Sequence, residues 1–166
     1  AAVGGEFRVN TETSSEQSFA SVVGLQGGGF VVTWSGNDGS GFGTYGQRYD
    51  ANGNTVGVEF RVNTQTLGSQ LYTSTAALDD GGFVVTWASG GQDGSSWGIY
   101  GQRYDANGAP AGVEFRSNTH TLNDQYHPSV AALDGGGFVV TWDSNGGQDG
   151  SDRGIYGQRY NASGTP

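Results

Sequence analysis

Tyr45-Gly46-Gln47-Arg48-Tyr49 is written again as Tyr100-Gly101-Gln102-Arg103-Tyr104 and as Tyr156-Gly157-Gln158-Arg159-Tyr160. In an extended chain, alternation puts both tyrosines and the glutamine of each copy on one face, with glycine and arginine on the other. An aromatic face beside an amide suits sugar recognition, in which the ring lies against the sugar and the amide reaches its hydroxyls. Tyr45, Gln47, Tyr49, Tyr100, Gln102, Tyr104, Tyr156, Gln158 and Tyr160 are therefore candidate glycan contacts. The same rings serve equally as sheet-packing residues with their hydroxyls at the rim. Trp97 joins the candidates. It stands where the other copies have Phe42 and Arg153, and a large aromatic in a variable loop suggests binding.

A second chemistry lies in the segments preceding these motifs. Asp38-Gly39-Ser40, Asp93-Gly94-Ser95 and Asp149-Gly150-Ser151 repeat one carboxylate, and the third copy adds Asp143 and Asn145. Oxygen donors on a flexible loop suit calcium, so Asp38, Asp93 and Asp149 are the candidate metal positions. The spacing is not that of an EF-hand, and an Asp-built turn accounts for the same residues.

Catalysis finds little here. The histidines are His120 and His127, both in the third copy, and there is no cysteine nucleophile. Asp79-Asp80 falls in a turn where the first copy has Gln26-Gly27. An active site needs several different groups converging, which a near-symmetric chain supplies poorly. The expectation is a non-enzymatic protein.

Composition narrows the classes further. With 16 acids, 7 bases and a net charge of −9, and with every base an arginine, the chain is ill suited to nucleic acid. No apolar run approaches the roughly 18 residues that cross a bilayer as a helix, so no membrane insertion is expected. Absence of cysteine rules out disulfides and thiolate metal sites. A start at Ala1 suggests a processed or excised segment.

The elements that position these residues are themselves repeated. Phe30-Val31-Val32-Thr33-Trp34 recurs at Phe83–Trp87 and Phe138–Trp142, so the tryptophans stand 53 and 55 residues apart. This run is apolar on both faces and reads as a central strand. A small-residue strand precedes it at 20–25, 74–78 and 129–133, joined through glycine-rich hairpins such as Asp79-Asp80-Gly81-Gly82. The Tyr-Gly-Gln-Arg-Tyr strand follows. After it, Asp50-Ala51-Asn52-Gly53 and Asp105-Ala106-Asn107-Gly108 turn into a strand over 59–64 and 114–119, whose first copy is 6–11. Arg48 is expected to face Glu59 across that hairpin. No stretch shows helical periodicity.

The expected fold is all-β: one repeat domain over 1–166 with three four-stranded antiparallel units, at about 3–55, 56–110 and 111–166. The chain enters and leaves at one phase of its period. The strand at 6–11 is then spare and supplies the last unit's fourth strand, closing a ring of propeller-type blades. Because propellers usually have more units, a pseudo-threefold prism or trefoil-like body and a two-chain ring are the alternatives.

The series Gly-Gly-Phe-Val-Val-Thr-Trp, Gln-Asp-Gly-Ser, Ile-Tyr-Gly-Gln-Arg-Tyr-Asp and Gly-Val-Glu-Phe-Arg resembles tandem repeats of large secreted bacterial exoproteins of the RTX and adhesin type. The resemblance covers nearly the whole chain. It implies export to the cell surface or medium of a bacterium, a β-rich ring or array, and an adhesive role. The nonapeptide Gly-Gly-x-Gly-x-Asp that carries calcium in such proteins is absent, and Gly91-Gln92-Asp93-Gly94 departs from it. The expected function is a secreted carbohydrate-binding module, lectin-like or adhesin, that meets glycans or cell-surface polysaccharide through repeated sites. A homodimer or higher assembly and calcium are the expected partner and cofactor. A structural module of an extracellular object and a propeller-type glycosidase are the other readings.

Overall fold

The computed structural model describes residues 4–166, all β-strand, turn and loop without helix. The first unit's expected start at Val3 lies outside the described residues. Strands β1 (Gln17–Gly24), β2 (Phe30–Asn37), β3 (Phe42–Tyr49) and β4 (Thr55–Arg61) form a first antiparallel sheet in that order. Strands β5 (Gln70–Ala77), β6 (Phe83–Gly90), β7 (Trp97–Tyr104) and β8 (Phe115–Arg116) form the second. Strands β9 (Gln125–Ala132), β10 (Phe138–Asn145) and β11 (Arg153–Tyr160) form a third of three strands.

The Phe-Val-Val-Thr-Trp run is the central strand each time, as its two apolar faces require. Its hairpins close as the glycines predict. Leu78 N–H donates to Gly82 O at 2.9 Å and Gly81 N–H donates back to Leu78 O at 3.1 Å. Gly81 holds φ +83, which a side chain rarely tolerates. The following turn is built by Asp50. Its Oδ1 accepts from the backbone amides of Asn52 and Asn54 and its Oδ2 from Asn54 Nδ2; these bonds, that of the Asn54 side chain first, hold its carboxyl below the usual range.

The inner strands pack in succession, β1 on β5 and β5 on β9, so the sheets lie face to face. One core fills the space between the first and second sheets, around Val31, Phe83, Val85 and Trp87. Another, around Ile99, Phe138, Val140 and Trp142, fills the space between second and third. The second sheet is therefore covered on both faces and β6 is buried almost throughout, whereas β11 alternates exposed with half-buried residues.

The outer strands differ from expectation. β4 begins earlier and stops at Arg61, β8 is two residues long, and 6–11 forms no strand. Phe7 nevertheless packs on Tyr49, centroids 5.5 Å apart, as Phe60 packs on Tyr104 at 5.4 Å and Phe115 on Tyr160 at 5.1 Å. Each such phenylalanine covers the face of the sheet that follows it. Closure of the three sheets into a ring is not present: among the described residues the third sheet ends at β11.

Arg48 and Arg103 are structural. Arg48 does not pair with Glu59. Its guanidinium reaches across to the next unit's turn and donates to the carbonyls of Ala106, at 2.8 Å, and of Asn107. Arg103 lies in the same way against Gly164. A planar fork engaging two carbonyls explains arginine where lysine would serve poorly.

Candidate functional site

The tyrosine–glutamine face is largely interior, and this corrects the sequence expectation. Tyr49, Tyr104 and Tyr160 are buried, each stacked on the phenylalanine of the adjacent central strand. The centroid distances are 4.7, 4.8 and 4.6 Å with planes within about 11°. Burial pushes the Tyr104 phenol far above its ordinary value. Gln47 and Gln102 are buried too, and each donates Nε2 to the carbonyl of the following arginine at 2.9 Å. Gln158 repeats that bond from a half-exposed position. Tyr100 is buried; Tyr45 is half-buried between Trp34 and the guanidinium of Arg61; Tyr156 is half-buried. Period-2 alternation located the face correctly, but the phenylalanine of the preceding unit covers it.

The three aspartates lie on three different loops. Asp38, its side chain only 3% exposed, pairs with Arg61 and accepts from the amide and hydroxyl of Ser40 at 2.9 Å. Asp93 accepts from the Ser95 amide and from Asn118 Nδ2, and Asp149 from the Ser151 amide. Among the described residues no three His, Cys, Asp or Glu side chains gather to hold a metal ion. With both Asp38 oxygens engaged by a serine and an arginine, a cation there would have to displace the guanidinium. The Asp38 carboxylate is thus committed within the fold.

Burial alone would raise the Asp38 carboxyl, but the Ser40 and Arg61 bonds outweigh it and hold it below the ordinary value. Its folded value is thus depressed, so its contribution to stability is complete above the ordinary carboxyl range near pH 4 and vanishes as pH falls below it. Asp38→Asn is expected to cost about 2 kcal/mol at neutral pH. Melting curves of the two proteins from neutral to acid pH should converge as the pH drops; a constant gap would contradict this assignment.

A different set of residues stands out in the structure. Each inner strand carries a bulge at the same place, and there Phe19, Tyr72 and His127 adopt φ of 54°, 61° and 50°. For residues with a β-carbon this left-handed region costs about 1–2 kcal/mol each. Such strain persists where the surrounding structure enforces it, often at sites of function. The three share the register of the repeat, 53 and 55 residues apart. Their rings form a continuous row, Phe19 to Tyr72 at 4.6 Å and Tyr72 to His127 at 4.8 Å.

At the third unit the row meets the residues by which that unit differs. Tyr126 replaces Ser18 and Leu71, Asp143 replaces Ser35 and Ala88, and Arg153 replaces Phe42 and Trp97. Tyr126 lies 6.3 Å from Tyr72 and 5.4 Å from Trp97. Partial burial, then Asp124, raises its phenol above the ordinary value. Asp143 Oδ2 is 3.0 Å from His127 Nδ1 and 3.9 Å from Arg153 Nη1. The result is an aromatic surface of Phe19, Tyr72, Trp97 and Tyr126 flanked by a carboxylate, an imidazole and a guanidinium. Of the sequence candidates, only Trp97 falls here.

The row was open to detection in sequence. Phe19, Tyr72 and His127 each stand two residues after Gln17, Gln70 and Gln125, in strict repeat register. The expected small-residue strands began only at 20, 74 and 129, beyond these rings.

No protein-family model matches the chain, and no curated protein matches it. Among solved structures, a protein of unknown function from Dyadobacter fermentans DSM 18053 superposes with a TM-score of 0.67 at 17% identity, over 91% of this chain and 40% of its own. The endo-arabinase of Bacteroides thetaiotaomicron VPI-5482 superposes with a TM-score of 0.62 at 18% identity, over 95% and 61%. A fucose lectin from Kordia zhangzhouensis, solved with methyl-fucoside, gives 0.48 at 12% identity, over 82% and 96%. The first two share the all-β arrangement of successive antiparallel sheets, and this chain spans less than two thirds of either.

Proposed function

We propose that this chain is a secreted, non-enzymatic carbohydrate-binding module whose binding surface is the aromatic row along the inner strands. The three sheets are its propeller-type blades. The observation that supports it most is the strained ring carried by every repeat at one position. Three units retain an unfavourable backbone to hold Phe19, Tyr72 and His127 edge to edge, and the third adds hydrogen-bonding groups beside them. Aromatic faces take the apolar side of a sugar ring. Asp143 accepts from its hydroxyls, and Arg153 and His127 donate to its oxygens. One ring per repeat makes an extended surface suited to a polysaccharide chain, where several weak contacts add through avidity.

A glycan array followed by titration calorimetry, each with and without calcium, tests this. Phe19→Gly and Tyr72→Gly remove a ring while relieving its backbone strain, so near-UV circular dichroism should show an intact fold. With Asp143→Asn, each is expected to weaken binding about tenfold, a loss of one stacked ring or one charged hydrogen bond. Absence of binding to every glycan by the folded parent, or unchanged affinity in all three variants, would overturn the reading.

A further inference from the structure

The two ends of the sheet array carry matching halves of contacts that are complete in its interior. In the first two sheets, the outer strand is docked by a repeated set of bonds. Phe60 and Phe115 sit over glycines of the neighbouring strand. A methyl at Gly46 would lie 2.7 Å from the Phe60 ring, and one at Gly101 2.6 Å from Phe115. Asn63 Oδ1 accepts from the Thr44 amide and Asn118 Oδ1 from the Ile99 amide, both at 2.7 Å. In the first sheet alone, Arg61 also pairs with Asp38. Glu59 Oε2 accepts from the amide and hydroxyl of Thr11 at 2.8 and 2.9 Å, and Glu114 Oε2 from those of Thr64 at 2.7 and 3.0 Å.

At the third sheet the receiving halves stand alone. Gly157 has no phenylalanine over it, and a methyl there would meet only Thr141 and Val140, at 3.3 Å. Thr119 has no glutamate among the described residues. Arg159 is exposed, whereas Arg48 and Arg103 each rest on the next unit's turn. The donating halves stand together at 6–11. Glu6, Phe7, Arg8 and Asn10 repeat Glu59, Phe60, Arg61 and Asn63, and Gly53, the turn glycine that an arginine would cover, has nothing near it. Gln17 reports the same vacancy. Gln70 and Gln125 accept from the docked asparagines, but Gln17 Oε1 accepts instead from Trp34 Nε1 at 2.9 Å.

Apolar exposure agrees. Val22 is 65% exposed on the first sheet, where its counterparts Thr75 and Val130 are buried. Ile155 is 73% exposed on the third, where Ile99 is fully buried. Each is covered in the interior by an adjacent sheet. The occupant cannot be the same chain without bringing the first and third sheets together. β1 packs on β5 and β5 on β9, with no comparable packing of β1 on β9.

We propose that residues 6–11 of one copy form the fourth strand of the third sheet of a second copy, and reciprocally, so that two chains close a ring of six sheets. The register follows the interior pairs Tyr45↔Arg61 and Tyr100↔Arg116 and sets Tyr156 opposite Arg8. Phe7 then covers Gly157, Arg8 meets Asp149, Asn10 takes the Ile155 amide, and Glu6 takes Thr119. Six sheets lie within the usual range for propellers, and closure removes both unpaired edges.

Sedimentation equilibrium of the 166-residue chain is expected to return twice its 17.2 kDa mass. Gly157→Ala leaves the isolated fold with its near-UV spectrum but places a methyl where the Phe7 ring must sit, so it should sediment as one copy. The parent has no cysteine, so the double variant Arg8→Cys/Tyr156→Cys reports the pairing directly. Oxidation should give a species of two-chain mass on a non-reducing gel. A disulfide formed within a single chain, a parent that remains one copy at every concentration, an assembly of more than two copies, or an undiminished dimer in Gly157→Ala would each overturn the proposal.

Discussion

Phe83→Ala is expected to destabilise the fold by about 3–5 kcal/mol, the range for emptying a fully buried aromatic site. Phe83 is completely buried, stacks on Tyr104 at 4.8 Å, and shares that tyrosine with Phe60 at 5.4 Å. The three rings join the central strand of the second sheet, its neighbour and the outer strand of the first, so the cavity opens at a junction of two sheets. A domain of this size is stable by only about 5–15 kcal/mol, so the loss is a large share of the total. Phe30 holds the corresponding place in the first sheet but is half-buried beneath the segment at Phe7. Phe30→Ala should therefore cost about half as much. Urea denaturation followed by tryptophan fluorescence measures both, and equal losses would mean that the covering sheet contributes nothing to this cluster.

Asn118→Ala should cost about 3 kcal/mol, through orphaned polar groups rather than lost packing. Its buried amide accepts from the Ile99 amide at 2.7 Å and donates to His120 O at 2.8 Å and Gln125 Oε1 at 3.0 Å. Truncation strands a buried amide N–H and a buried glutamine oxygen together. β8 spans only Phe115–Arg116, and the asparagine substitutes for the ladder that this short strand does not continue. Hydrogen exchange at the Ile99 amide should accelerate sharply in the variant, and a protected amide there would contradict this role. Asn10→Ala is the contrast: Asn10 donates only to Glu12 O, at 2.5 Å, and its loss should be nearly silent in the isolated chain.

Much of the architecture was legible because repetition fixes what single segments leave ambiguous. Phe-Val-Val-Thr-Trp is apolar on both faces and is central in every sheet. The Gly-rich hairpins and the Asp50 and Asp105 turns close where their residues require. Which faces would be covered was not legible. Alternation shows that Tyr49 and Gln47 share a side, but Phe7 lies some forty residues earlier in the chain, and only the stacking of sheets brings it over Tyr49. The inner strands are hard to read in sequence for a related reason. A bulge shifts the alternation by one residue, so Phe19, Tyr72 and His127 fit neither face of a regular strand and fell outside the pattern. Trp97 is legible as a candidate because it breaks the repeat. Asp143, Arg153 and Tyr126 break it too, but their significance depends on the row they adjoin.

The exclusive use of arginine has a consequence for survival among proteases. An enzyme that cleaves after basic residues finds no lysine in this chain; Arg48, Arg103 and Arg159 lie within paired strands, Arg61 and Arg116 end them and Arg153 begins one. A paired backbone cannot enter a protease cleft without first leaving its ladder. Arg8 is exposed and lies outside any strand, so the bond from Arg8 to Val9 is a vulnerable one. Seating that segment against a second copy would shield the exposed bond.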